Sequence, residues 1–488
     1  MKIFKHFRKG LLYWSFSIAT IFTLNSCTQG IDPESFDPGV SNTQLTAPTI
    51  TAVSSADGSE TILSWPVVMG AGGFQMSLYN INDEQKPIAI FEDSIIDGCQ
   101  CSVPRAEDTN YKLEVKTLGN DKYNNLASEV SEFKFTTFVP QINEEALPAG
   151  TDIAQWFIQN QELISSKKEE YALVLTGGNE YVMNSTVNLG NIPFTLRSDD
   201  ASNPATIKMG AESAFITESG IKIKNVNFDC IGMTDKNSAI IKLSDTHLSN
   251  NVNGWYLINE GNSVTLQGCN IKNLSGRLIW DQTQPYVIEN MLVKNCIIGL
   301  DQVAQLSKGV HSIELSNSFP INFTLESSTV YSTTDSPKDK YVYFIAYVSK
   351  RPYEVADGRY PTCMINWFNN TMYHVTKSAS GKSQGFANWG RLKGQKCAYV
   401  NVHNNIFVDC SSNRVVRQSF LQGQNGGMIF TFEKNCYWYN GASAGNNDWD
   451  QKDRIDFDPQ LTQTEEGYFK VGNPEVINAG IGDPKGLE

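Results

Sequence analysis

Between positions 338 and 417 twelve Lys and Arg residues stand against four acids, Asp339, Glu354, Asp357 and Asp409, a local balance of +8 (12 − 4) on a chain whose net charge is −13. Aromatic residues alternate with these cations in Lys350-Arg351-Pro352-Tyr353, Arg359, Trp389-Gly390-Arg391-Leu392-Lys393 and Arg414-Val415-Val416-Arg417. A guanidinium fork matches a carboxylate bidentately, and a flat ring stacks on the apolar face of a sugar. Together they are the chemistry of holding an acidic sugar chain. Isolated surface cations are ordinarily just solvated; concentration and pairing with rings set these apart. Arg351, Tyr353, Arg359, Trp389, Lys393, Arg414 and Arg417 are the expected contacts. A basic island on an acidic chain predicts an anionic partner, expected to be an acidic polysaccharide and not nucleic acid.

Such a wall requires consecutive elements that stack. Between Ile221 and Tyr437 the pattern apolar-x-apolar-x-centre-x-x-apolar returns seven times, centred on Asn225, Gly268, Asn290, Ser327, Asn369, Asn404 and Lys434. All twenty-one flanking positions, from Ile221, Ile223 and Phe228 to Phe430, Phe432 and Tyr437, are apolar. Period-two apolar residues mark a strand with one buried face, and a small or amide residue lets the chain bend before the next strand. The centres lie 43, 22, 37, 42, 35 and 30 residues apart. A fixed inner frame with loops of variable length predicts an all-β fold, a parallel β-helix whose coils share one core. Asn370, Asn405 and Asn435, one past their centres, are placed to stack as an amide ladder.

The remaining chemistry-bearing residues form weaker constellations. His374 and His403 lie near consecutive bends and could meet across coils, but the five histidines form no triad. Nine cysteines remain beyond Cys27, an odd number without framework spacing, and most fall in or beside the repeated strands, where a thiol packs as a small hydrophobe. Asp199-Asp200 is the sole adjoining aspartate pair. The run Asp448, Asp450, Asp453, Asp456 and Asp458 is expected to tie down the last coil.

Composition divides the chain. Lys2, Lys5, Arg8 and Lys9, the apolar run Leu11 to Leu24 and Leu24-Asn25-Ser26-Cys27 read as a secretory signal over residues 1–26. Its end resembles a bacterial lipobox, which implies lipidation at Cys27 and a membrane held through the lipid anchor alone. Residues 27–46 are a polar tether. Residues 47–138 carry short period-two runs around Trp65 and Tyr111-x-Leu113-x-Val115, a β-sandwich similar to a fibronectin type III domain. Thr151 or Asp152 can cap an amphipathic helix over 151–166, a lid for the open end of a β-helix that fills 150–488.

Leu173-Val174-Leu175-Thr176-Gly177-Gly178, Ile192-Pro193-Phe194-Thr195-Leu196-Arg197 and Ala205-Thr206-Ile207-Lys208 resemble the opening coils of pectate-lyase-like right-handed β-helices. Asp456-Phe457-Asp458-Pro459-Gln460-Leu461 and Asn473-Pro474-Glu475-Val476-Ile477-Asn478-Ala479-Gly480 resemble their closing segment. The whole is similar to surface lipoproteins of glycan-degrading Gram-negative bacteria, which implies an outer-membrane, cell-surface location beside glycan-uptake components. The resemblance implies two activities. One is binding or presenting an acidic, pectin-like polysaccharide. The other is calcium-dependent β-elimination, in which a Lys or Arg takes the C5 proton of a uronate; Arg391, Lys350 and Arg277 are the candidate bases. Calcium needs oxygen ligands, and Asp281 and Asp301, each in an Asp-Gln pair after a bend, are the candidates. No fuller carboxylate set assembles, so binding leads and the lyase stands as the alternative.

Overall fold

The computed structural model describes residues 39–55, 60–332, 334, 342–347, 362–377, 385–388, 398–411, 415–420, 428–444, 450 and 453–488, with backbone alone at Glu260, Tyr347, Arg417 and Gln418. The chain divides into two compact units, Met1–Phe138 and Val139–Glu488.

In the first unit, strands Thr51–Ser54, Glu60–Ser64 and Gln100–Pro104 form one antiparallel sheet. Ile88–Ile96, Phe74–Asn80, Asn110–Thr117 and Ser131–Thr136 form the other. Alternation in Asn110–Thr117 buries Tyr111, Leu113 and Val115 on one face. They pack with Leu63, Trp65, Phe74, Met76 and Leu78. Trp65 meets Phe74 edge-on at 5.2 Å between ring centroids, a geometry that aromatic quadrupoles favour. This is the expected β-sandwich.

The second unit is a right-handed parallel β-helix of three sheets. The first sheet runs from Tyr171–Leu175 through Phe194–Ser198, Ile221–Lys224, Tyr256–Gln267, Tyr286–Lys294, Phe319–Glu326, Cys363–Phe368 and Ala398–His403 to Ile429–Glu433. The second follows it after a short bend in each coil, from Glu180–Met183 to Cys436–Tyr439. The third is Thr186–Asn188, Ala214–Thr217, Ala239–Leu243, Arg277–Trp280, Ile313–Leu315, Ile345–Tyr347 and Ala387–Asn388. Inward side chains stack coil on coil; Ile221, Val264, Met291, Phe323, Ile365, Val400 and Phe430 are successive partners in the first sheet.

The bends are left-handed single residues, and six of the seven predicted centres hold them. Asn225, Gly268, Ser327, Asn369, Asn404 and Lys434 have φ between 50° and 65°. The seventh is Asn295, φ 53°, and not Asn290. Tyr286–Lys294 contains two apolar doublets, Tyr286/Ile288 and Met291/Val293, and period two alone cannot choose between them. The register does: Met291 pairs with Val264 and Val293 with Leu266, past an irregularity between Ile258 and Ser263. Asn290 lies mid-strand, accepting from the Asn322 amide at 3.1 Å.

One position past each bend the side chain turns inward. Asn370 donates to the Leu325 carbonyl at 2.9 Å, Asn405 to that of Trp367 at 2.8 Å and Asn435 to that of Val402 at 2.7 Å. Each also links to the next: Asn370 Nδ2 and Asn405 Nδ2 reach Asn405 Oδ1 and Asn435 Oδ1, both at 2.9 Å. Asp450 ends the column, its Oδ2 accepting from Asn435 Nδ2 at 2.8 Å and Tyr437 Oη at 2.7 Å. The amide ladder and the tying role of one tail aspartate are as expected.

A helix covers the N-terminal end of the coil. Helix Ile153–Gln159 is capped by Asp152, which accepts from the Ala154 N–H at 2.9 Å, and it buries Ile153, Ala154 and Phe157 against the first coils. The predicted single helix is two, with Gln161–Ser165 following. The C-terminal segment returns over the outer face of the second sheet. Val471, Val476 and Ile481 cluster with Ile406, Val408 and Cys436, and Asp483 accepts from Thr329 at 2.7 Å. No helix among the described residues is long and apolar enough to cross a membrane.

Candidate functional site on the third sheet

The C-terminal segment occupies the second sheet's exterior, so the third sheet's exterior is where charge and aromatic character collect. Ile216, Lys242, Trp280, Glu314, Ala346 and Asn388 are register partners on successive strands and form one outward column. Arg277 joins it from the start of its own strand, three residues before Trp280.

At the centre of the column two cations approach one ring. The Arg277 guanidinium lies 4.1 Å and the Lys242 ammonium 5.6 Å from the Trp280 ring centroid, both within the range of cation–π attraction. Their electrostatic situations differ. Arg277 is neutralised by Glu314, with Nε to Oε2 at 2.8 Å and Nη2 to Oε1 at 3.4 Å. It also donates to the Lys236 carbonyl at 2.5 Å. Glu314 is held further by the His311 backbone N–H at 3.2 Å. The His311 ring accepts from the Tyr343 N–H at 3.2 Å, and burial depresses its pKa.

Lys242 is 3% exposed and makes no hydrogen bond or ion pair among the described residues. Burial lowers its pKa, Arg277 pushes the same way, and Glu212, Asp235 and Asp245 oppose them from a distance. An ammonium drawn partly out of water gains from an anionic neighbour or from losing its proton. It is therefore poised to take an anionic ligand group, or to give up its proton more readily than a solvated lysine.

The sequence-derived candidates fall in three places. Arg391, Lys350, Arg351, Tyr353, Arg359, Trp389, Lys393, Arg414 and Cys27 lie outside the described residues, and Arg417 is seen only as backbone in helix Val415–Ser419. In sequence, Lys350 and Trp389 follow closely after the third-sheet strands Ile345–Tyr347 and Ala387–Asn388. Arg277 is at the site, engaged by Glu314.

Asp281 and Asp301 are not brought together, and they do not fit calcium. Asp281 follows a third-sheet strand and accepts backbone N–H groups from Thr283 at 2.9 Å, Asn317 at 2.7 Å and Ser318 at 2.8 Å. Asp301 follows a second-sheet strand and caps helix Gln302–Lys308 through the Ala304 N–H at 2.9 Å. Backbone donors claim these carboxylates because each closes a turn. Among the described residues no group of three or more His, Cys, Asp or Glu could hold a metal. His374 and His403 also sit apart: His374 reaches Asp409 at 3.2 Å, whereas His403 lies on the first sheet beside Phe368.

Lys242, Trp280, Glu314 and His311 escaped the sequence reading. The repeat locates the first bend of each coil, while third-sheet strands follow loops of unequal length. A lysine inside Ala239-Ile240-Ile241-Lys242-Leu243 was the available signal.

Family models match three stretches of the chain, all described as domains of unknown function: DUF4992 over residues 2–174, DUF4957 over 179–333 and DUF5123 over 365–485. No curated protein matches. Among solved structures, a family 28 exopolygalacturonase of Yersinia enterocolitica is similar at 9% identity and TM-score 0.22, over 81% of this chain and 85% of that one. A pectate lyase of Erwinia chrysanthemi in complex with tetragalacturonic acid is similar at 9% identity and TM-score 0.14, over 72% and 84%. A structure titled FN3tt mut is similar at 17% identity and TM-score 0.15, over 20% of this chain and 94% of that one. Scores and identities this low decide neither substrate nor activity.

Proposed function

We propose that this chain binds an acidic, pectin-like polysaccharide along the outer face of the third sheet of its β-helix. The observation that carries the reading is the Lys242 ammonium beside the Trp280 ring, which makes no hydrogen bond or ion pair among the described residues. A uronate carboxylate would supply a counter-ion while the indole stacks on the sugar. In sequence, the cationic stretch from 338 to 417, with Arg351, Arg359, Lys393, Arg414 and Arg417, is interleaved with the third-sheet strands Ile345–Tyr347 and Ala387–Asn388, and its charge favours the same acidic partner. On this reading the protein is a surface lipoprotein tethered through Cys27 to the outer membrane. Its fibronectin type III-like unit is a spacer, and glycan-uptake components are its neighbours.

The test is retention of the purified chain on polygalacturonate and on neutral xylan. Polygalacturonate should hold it more tightly, the preference should fade with salt as ionic contacts are screened, and Lys242→Ala should lose most of it. A charge-assisted contact is worth about 1.5–3 kcal/mol, so roughly a ten- to hundredfold loss is expected. Equal retention on both glycans at low salt would remove the proposal.

A second reading, β-elimination, draws support from the lowered pKa of Lys242, because a base works best when its pKa approaches ambient pH. The amine would take the C5 proton as a C4–C5 double bond forms, and the C4–O bonding pair would leave with the oxygen, which takes a proton from water. Ultraviolet absorbance of an unsaturated uronide, followed over a panel of pectins with and without chelator, decides it. No absorbance on any pectin ends the lyase reading and leaves binding standing.

A further inference from the structure

The inward column that begins each second-sheet passage changes chemistry along its length. From the first repeated coil upward it reads Val226, Cys269, Cys296, Ser328, Asn370, Asn405 and Asn435, one residue past the respective bends. The thiols do what the amides do higher in the stack. Cys296 Sγ donates to the Leu266 carbonyl at 3.4 Å, and Cys269 Sγ to that of Ile223 at 3.7 Å, each reaching the coil beneath. Both also contact a carbonyl two residues earlier in their own coil, Lys294 at 3.2 Å and Gln267 at 3.4 Å. Ser328 Oγ, in the coil above, accepts the Cys296 N–H at 3.0 Å. No solvent reaches either thiol to a useful extent: Cys269 is 2% exposed and Cys296 fully buried.

Their coils are consecutive and in register. The Ile297 N–H donates to the Cys269 carbonyl at 2.9 Å, and the Gly268 N–H to that of Lys294 at 2.9 Å. Adjacent strands run about 4.8 Å apart, inside the Cα separation of roughly 4.4–6.8 Å that a disulfide spans. Cys269 and Cys296 are both free cysteines here.

We infer that Cys269 and Cys296 are a redox pair that closes an inter-coil disulfide when the chain folds in contact with a disulfide oxidant. In the step, one thiolate attacks the oxidant's disulfide and expels a thiolate, and the second cysteine then displaces the remaining half. Two protons and two electrons leave the pair, and one oxidant disulfide becomes two thiols. Closure requires Cys269 Sγ to leave its carbonyl partners and rotate toward the upper coil. Because the finished core shields both sulfurs, the exchange belongs to the period before these coils stack. A bond there would staple two turns through a column that otherwise relies on hydrogen bonds. The inference is independent of the glycan reading.

The experiment uses the full chain, unfolded in urea and refolded with oxidised glutathione or with excess dithiothreitol. Each sample is then denatured, alkylated with N-ethylmaleimide and digested. Refolding with oxidised glutathione should give one linked peptide pair, carrying Cys269 and Cys296 and two hydrogens lighter than the sum of its thiol forms. Dithiothreitol should give both cysteines alkylated. Cys269→Ser and Cys296→Ser should each abolish the linked pair while still folding, since Ser328 shows that a hydroxyl serves in this column. Recovery of both cysteines alkylated after oxidative refolding to a native circular dichroism spectrum overturns the inference. So does a linked pair that joins either of them to another cysteine.

Discussion

Lys242 and Asp450 are opposite cases of an ionisable group inside a β-helix. Burial of Lys242 lowers its pKa and so places the loss of its charge at a lower pH than the ordinary 10.5 of a lysine. Retention on polygalacturonate should therefore fall as pH rises, at a lower pH than an ordinary lysine would set. Lys242→Arg, whose guanidinium stays charged, should keep its retention over the same rise; a parallel decline in both proteins would show that another group titrates. Asp450 is fully buried, with Oδ2 occupied and Oδ1 without a partner among the described residues. Burial raises its pKa above the ordinary 3.8. A folded-state pKa above the unfolded one favours folding at acid pH, and that contribution is lost as pH rises through the folded value. Asp450→Asn keeps the acceptor for Asn435 and Tyr437 without the charge. Urea denaturation should find the variant equal to the parent well below pH 3.8 and more stable above the raised pKa. A variant weaker at every pH would mean that the ladder needs the carboxylate.

The ladder itself is a property of the elements. Asn405 accepts the backbone N–H of Asn370 at 3.0 Å and donates to the carbonyls of Trp367 and His403. Removing it strands buried groups in two coils, and each unsatisfied group costs about 1–3 kcal/mol. Asn405→Ala should thus lower the urea midpoint more than Asn405→Ser, which keeps an acceptor in the column as Ser328 does. Equal losses would reduce the ladder to mere packing. The ladder's position was readable in advance because Asn370, Asn405 and Asn435 each follow a predicted bend. The misplaced bend in the Tyr286–Lys294 coil shows the limit of such reading. Period two fixes which residues face inward, but when a strand is nine residues long two neighbouring doublets satisfy it equally. Pairing with Val264 and Leu266 is what selects Asn295.

At the scale of the molecule, the division at Phe138 and Val139 gives two cores that share no cluster of buried residues. Residues 39–138 and 139–488, expressed separately, should each show a cooperative thermal transition. The second should retain the polygalacturonate preference of the whole chain. Loss of that preference on separation would place part of the binding surface on the sandwich.

The sequence by itself determined the coiling. The period-two beat, the left-handed bend residues, the amide positions and the Asp152 cap are local signals, each fixed by a few neighbouring side chains. It also determined that cations and rings crowd into one stretch. The exterior of the third sheet was decided only by tertiary structure. Ile216, Lys242, Trp280, Glu314, Ala346 and Asn388 are separated by loops of unequal length, and nothing in their spacing announces that they share a column. Coil-on-coil register aligns them, because each strand must match the hydrogen-bonding groups of the one beneath. The same constraint sent Asp281 and Asp301 to different corners, where backbone N–H groups claim them.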